Sequence, residues 1–260
     1  MDASMWIAKT GLDAQQTRMA VISNNLANVN TVGFKRDRAV FEDMLYQNIR
    51  QAGGQTSANT QSPTGMMLGT GVRVVATEKL HGQGSMVNTQ NPLDMAVAGE
   101  GFFQIAQADG TIAYTRDGNF KISATGQIVT ASGAALQPAI TVPAGTASIT
   151  IGRDGTVSAQ SAAGAQAAIG QIQIARFVNP SGLQAMGQNL LKETAASGAP
   201  QVVAPGTAGA GTLQQGSLEA SNVNVVEEMV SMIETQRAYE VNSKAISAVD
   251  GMLRFINNNM

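Results

Sequence analysis

The sequence predicts an α+β chain, in which N- and C-terminal coiled-coil helices pair around an inserted all-β middle domain. Three observations predict it. Apolar residues recur every seven positions near the N-terminus, and a second seven-residue row occupies the C-terminal end. Between them, Gly and Asp-Gly steps punctuate apolar runs of strand length.

In the first helix, Met5, Leu12, Met19 and Leu26 form one row, and Ala8, Gln15, Ile22 and Val29 form its companion three residues on. An a/d seam of this kind marks a helix that packs along another. Asp2 and Ser4 are candidate N-caps. A helix of ~25 residues would be ~38 Å long. The Asn-rich exit Asn24–Arg36 then stops it, because Asn side chains compete for backbone hydrogen bonds and Gly adds backbone entropy. In the last helix the row is Val225, Met232, Tyr239, Ile246 and Leu253, and Asn224 with Glu227 resembles a capping box.

The middle reads as β-structure. Gly71–Thr77 alternates, with Val72 and Val74 expected inward. Asp109-Gly110, Asp117-Gly118 and Asp154-Gly155 supply the positive φ angles that tight hairpins need. Turn signals every ~8–12 residues suggest a sandwich or small barrel. Two stretches with little periodicity, Gln47–Gly69 and Thr194–Gly216, are expected to be linkers.

Composition excludes several functions. Charged residues are 13% and the net charge is −2, so phosphate neutralisation is not supported and no nucleic-acid partner is expected. The basic cluster Lys35-Arg36-Asp37-Arg38 reads as solvated loop charge. Cysteine is absent, which removes disulfides and thiol chemistry. A single histidine, His81, leaves no multi-His metal site, and its glycine-rich context reads as a plain turn residue rather than the base of a His-based triad. Asp109, Asp117 and Asp154 are explained by their turns, and Gly99-Glu100-Gly101 lacks the third glycine of a phosphate loop. No catalytic residue, cofactor or metal is expected, and the chain is not expected to be an enzyme. The N-terminus lacks a basic region and apolar run of the secretory kind, so export would use a route without a cleaved signal.

Three long motifs carry a resemblance. ISNNLANVNTVGFKR (Ile22–Arg36), GEGFFQI with YTRDGNF and GQIV (Gly99–Val129), and GSLEASNVNVVEEMVSMIETQRAYEVNSKAISAVDGML (Gly216–Leu253) resemble the signatures of the bacterial flagellar rod and hook family. The length of 260 and the segment Tyr46–Gly65 resemble the members that build the distal rod.

The resemblance implies a structural subunit of the basal body. Copies would polymerise helically into the distal rod, transmit torque to the hook and form part of the export channel. The alternative is another axial protein of the family, from the proximal rod or the hook. It implies an inner-tube domain (1–30 and 222–260), a connecting layer (31–95 and 195–221, with 46–65 extended) and a β-rich outer domain (96–194). The inter-subunit seam would comprise Met5, Leu12, Met19, Ile22, Leu26, Val225, Met232, Tyr239, Ile246 and Leu253. Asn25, Asn28, Gly33 and Phe34 would form the signature turn, and Lys35, Arg36 and Arg38 either bridge to acidic groups on adjacent subunits or stay solvated. Phe41 and Leu45 resemble an element shown to the export gate, and an amphipathic turn on the core explains them equally. The implied partners are further copies of the chain, proximal-rod and hook proteins, surrounding ring proteins and the flagellar type III export apparatus. The implied location is the basal body, from periplasm to outer membrane.

Overall fold

The computed structural model describes residues 3–53, 55–57, 60–61, 63–162 and 164–258; at 3, 55–57, 60–61, 253 and 256–258 it describes the backbone alone. Among the described residues the order of elements is a helix, twenty-two short strands and a helix, with a 3-10 turn at Pro180–Gly182. The chain divides into two compact units: Met1–Ala27, Asp37–Glu78 and Asn224–Met260 form one, and Asn28–Arg36 with Lys79–Val223 form the other.

In the first unit, helix α1 (Ala3–Ala27) runs antiparallel to helix α2 (Val225–Asn258). Asn25 lies beside Glu228 and Gly11 beside Asn242, so ~14 residues, about four turns, separate the two contacts on each helix. A Cβ at Gly11 would sit 3.2 Å from the Asn242 amide nitrogen, a tight contact that the end of that side chain would have to ease. Asn224 caps α2: its side-chain oxygen accepts from the Val226 N–H at 3.0 Å. Asp2 falls outside the described residues.

The same unit carries a long antiparallel ribbon. Asp37–Asp43 pairs with Val72–Lys79. Beyond it Gln47–Arg50 pairs with Met66–Leu68, and Gln55–Ser57 with Thr60–Gln61. This corrects the linker expected over Gln47–Gly69, whose described residues include four strands. A two-stranded ribbon has no second sheet packed over it, so its sequence need not alternate; besides the backbone ladder, the exposed ion pairs Arg38–Glu78 and Arg73–Glu42 cross it. For the same reason Val74 and Val75 are exposed, where Val74 was expected to point inward.

The second unit is built on a nine-stranded antiparallel sheet. Its central strand, Phe102–Ala106, pairs with Ile112–Thr115 on one side and with Ala135–Gln137 and Ile174–Arg176 on the other. Successive side chains of a strand point to opposite faces, and both faces here are covered. Phe103 and Ile105 join Phe120, Leu136, Val97 and Leu213 in the main core, which also takes Ile151 and Val157 from the meander Thr146–Ile151, Thr156–Ser161, Gln166–Gln171. Phe102, Tyr114, Phe177 and Leu191 form a second cluster. The nine-stranded sheet, the meander and the strand pair Met95–Ala98 with Thr212–Gln215 share one core. The Thr194–Gly216 linker is likewise corrected, because it contributes strands Gln201–Val203 and Thr212–Gln215.

Two of the three Asp-Gly steps make the expected turns. Gly110 and Gly155 take φ of 80° and 83°, and each preceding Asp accepts from the Thr two residues on. Asp117-Gly118 does something else. A Cβ at Gly118 would lie 1.5 Å from the Met95 carbonyl oxygen, so this glycine permits two backbones to approach.

Candidate assembly interface

The signature turn shows why asparagines end α1. Asn25 is buried and spans the turn: its Nδ2 donates to the Asp37 carbonyl at 2.9 Å, and its Oδ1 accepts the Asp37 N–H at 2.8 Å. The same Nδ2 lies 3.3 Å from Glu228 Oε2 on α2. Asn28 stays half-buried and accepts the Thr31 hydroxyl at 3.1 Å. Gly33 takes φ +69°, and a Cβ there would lie 2.6 Å from the Asp117 backbone nitrogen. Its N–H donates to the Glu219 carbonyl at 2.8 Å, and Phe34 beside it is buried.

Lys35 overturns the reading of a solvated loop. It is 4% exposed, and its Nζ lies 2.6 Å from Glu219 Oε1. Arg116 Nη1 holds the other carboxylate oxygen at 3.2 Å. Glu219, at 0% exposure, also accepts the Gly84 N–H at 2.9 Å. Burial pulls the Lys35 ammonium below its usual pKa, with Glu219 pulling back, and burial acts in the same direction on Arg116. His81 is no plain turn residue either. Its ring meets the edge of Phe102 at 5.6 Å, and burial, reinforced by Lys35, Arg116 and Lys79, lowers its pKa to about 4. Arg38 and Glu78 form an exposed pair. Sequence reasoning missed Glu219 and Arg116 because ion pairs across separations of 184 and 103 residues leave no local periodicity.

On the helices, the faces are distributed unlike the predicted rows. The residues of α2 most deeply buried are Glu228 and Thr235, with Ser231, Ala238 and Asn242 half-buried, and the residues of α1 most deeply buried are Ala14, Ile22 and Asn25. Apart from Ile22, the buried residues here are small or polar. The apolar residues Val226, Met229, Val230 and Ile233, at i, i+3, i+4 and i+7, are exposed on the other side of α2. Of the predicted seam, Met5, Leu12, Met19, Leu26, Met232 and Ile246 are half-buried, Ile22 is buried, and Val225 and Tyr239 are exposed. The Leu253 side chain lies outside the described residues. Phe41 is half-buried on a strand, and Leu45 is 88% exposed beyond it, so no amphipathic turn joins them. Trp6, Ile7 and Leu68 are exposed beside a cleft of about 500 Å³ at the root of the ribbon. Among the described residues no group of His, Asp or Glu has the arrangement of a metal site, and no helix is long and apolar enough to cross a membrane.

Three family models match the chain. The flagella basal body rod protein model covers residues 5–35, the flagellar hook protein FlgE/F/G D1 domain covers 96–159, and the flagellar basal body rod FlgEFG protein C-terminal model covers 214–259. The chain is 54% identical over 255 residues to the flagellar basal-body rod protein FlgG of Buchnera aphidicola subsp. Acyrthosiphon pisum, covering 98% of each. It is 47% identical over 261 residues to that of Borreliella burgdorferi, covering 99% of this chain and 98% of the relative. To that of Bacillus subtilis it is 39% identical over 257 residues, covering 96% of each.

Proposed function

The chain belongs to the FlgG family of flagellar basal-body rod proteins, and from that premise we propose that further copies cover the apolar faces a single chain leaves bare. It is a structural subunit of the distal rod of the bacterial flagellum. The observation that carries the self-assembly reading is the exposed stripe Val226, Met229, Val230 and Ile233 on a helix whose opposite face is already occupied. Exposed apolar surface of this size favours association, at ~25 cal/mol per Å² removed from water.

In this reading residues 1–30 and 222–260 form the inner tube and part of the export channel. Residues 31–95 and 195–221 form the connecting layer, and 96–194 face outward. Met5, Leu12, Met19, Ile22, Leu26, Val225, Met232, Tyr239, Ile246 and Leu253 contribute to the seam between copies. The ribbon over 46–65 lies between subunits and restricts their sliding, so that torque reaches the hook without bending. Proximal-rod and hook proteins join the two ends, ring proteins surround the polymer, and the subunit leaves the cytoplasm through the type III export apparatus with Phe41 and Leu45 shown to its gate. The role is mechanical, with no reaction to catalyse.

The test is to delete the gene and examine isolated basal bodies by electron microscopy. Rods that stop short and carry no hook are the expected result, restored by a tagged copy whose label lies along the distal rod. Full-length rods with hooks in the deletion strain would overturn the assignment.

A further inference from the structure

Among the described residues, the exposed methionines are Met66, Met67, Met186, Met229 and Met252, between 47% and 63% exposed. Their thioethers are open to oxidants in a single chain, whereas Met95, at 0% exposure, is shielded inside the main core. The surroundings of the five differ. On the ribbon Met66 pairs with Arg50 and Met67 with Asn48, so a polar group added there finds polar neighbours. Met186 lies between Ala185 and Gly187 on the edge strand Gln184–Gly187. Met252 is ~140° around α2 from Met229, at ~100° per residue, and so lies outside the apolar stripe that contains Met229.

The helical neighbours of Met229 one turn away are Val225 and Val226 on one side and Met232 and Ile233 on the other. All four are apolar, which puts Met229 at the centre of the stripe it shares with Val226, Val230 and Ile233. A thioether suits this place, because it is apolar, unbranched and polarizable. Oxidation reverses that fit. The sulfur takes one oxygen atom from a peroxide, the O–O bond breaks and water leaves; the sulfur gives up two electrons and the peroxide accepts them. The sulfoxide so formed is polar and accepts hydrogen bonds. None of the four neighbouring side chains can donate one. Covering such a group with another apolar surface leaves it desolvated and unpaired, which is costly.

We propose that Met229 is an oxidation site that controls assembly: its sulfoxide keeps a chain out of the polymer, and burial between copies protects the thioether once the polymer has formed. The covering surface is that of a second copy, so the proposal rests on the self-assembly reading. The modification is reversible. A thiol-dependent reductase removes the oxygen as water, oxidises a pair of thiols to a disulfide and returns the chain to its assembling form.

The unassembled chain and isolated basal bodies are exposed to the same hydrogen peroxide, and sulfoxide is counted peptide by peptide by mass spectrometry. Met229 is expected to oxidise about tenfold more slowly in basal bodies than in the free chain. Met95 should stay reduced in both, which marks the chain as folded throughout. Equal rates at Met229 would overturn the proposal. The oxidised free chain is then cleared of peroxide and sedimented over a range of concentrations. Oxidation should raise the concentration needed for assembly about tenfold or more, and methionine sulfoxide reductases for both epimers should reverse the change. In Met229→Leu the same treatment should change that concentration by less than about twofold relative to its own untreated state, because leucine keeps the volume and has no sulfur. Met252→Leu should remain sensitive. If Met229→Leu loses assembly on oxidation as fully as the unsubstituted chain, the proposal falls. An untreated chain that formed no polymer would count against the self-assembly reading, and the protection measured in basal bodies would still decide for or against Met229.

Discussion

Beneath strands Phe102–Ala106 and Ile112–Thr115 the chain buries Phe103, Ile105, Ala113 and Phe120 almost completely. Along α1 and α2 it buries Ala14, Asn25, Glu228 and Thr235 and leaves Val226, Met229 and Ile233 in solvent. The β unit places its apolar surface inside itself. The helical pair largely does the reverse: apart from Ile22, its buried residues are small or polar, and Val226, Met229, Val230 and Ile233 stay outside. The first arrangement suits a body that folds alone. The second suits an element whose main apolar contacts are made with other chains, since hydrophobic surface is equally well removed from water by a neighbour.

The comparison breaks most severely if the β unit's interior is disturbed. Phe103→Ala should lower unfolding free energy by about 3–5 kcal/mol, the cost of a large cavity. Glu219→Ala should cost a similar ~3–5 kcal/mol, because it strands two buried cations. Urea denaturation of the full chain, followed by a probe in the β unit, measures both. Equal stability in Glu219→Ala would mean that water already screens Lys35 and Arg116.

A smaller effect comes from pH. His81 has a folded pKa of about 4 against 6.5 unfolded. The folded state therefore refuses a proton that the unfolded state accepts. Stability from this group is fully present above pH 6.5, falls as pH drops toward 4, and changes no further below that. The total is at most roughly 3 kcal/mol. Urea midpoints taken from pH 7.5 to 4 should show this slope, and His81→Phe should remove it.

Smaller again is the clip at the end of α1. Asn25→Ala removes the reciprocal pair with Asp37 and a donor near Glu228. A loss of about 1–2 kcal/mol is expected, read as faster amide exchange at the C-terminal end of α1. Unchanged exchange there would mean that other bonds hold the turn.

What the sequence made legible follows from the range of each interaction. The two helices show because heptad rows and Asn-Gly exits are local patterns. The turns at Gly110 and Gly155 show because their chemistry lies within four residues. The ribbon over Gln47–Leu68 does not show, since a ladder solvated on both sides imposes no alternation. The Lys35–Glu219–Arg116 cluster does not show either. Lys35 stood in a quoted motif, but its partner lies 184 residues away, and a Lys among Arg residues reads as solvent-facing until the fold is known. The helical seam is the intermediate case. The heptad spacing is real, but the row that packs inside the chain is Glu228, Thr235 and Asn242, which no apolar pattern could mark.

The sharpest test of the comparison is the variant expected to change the single chain least. Val226, Met229 and Ile233 are 69%, 52% and 50% exposed, so replacing all three by Ser removes little from the folded monomer. Each should shift its stability by no more than about 0.5 kcal/mol. In the polymer the same residues would be buried, and each large apolar side chain removed from water contributes about 1.5–3 kcal/mol. Three such losses should raise the concentration needed for assembly at least a hundredfold. Sedimentation of the polymer against chain concentration measures this, with urea denaturation of the dilute chain as its control. Lost assembly at unchanged monomer stability is the outcome that separates the two kinds of interior. If instead the monomer weakens as much as assembly does, the stripe packs within the chain, and the helical pair would be an ordinary apolar core like that of the β unit.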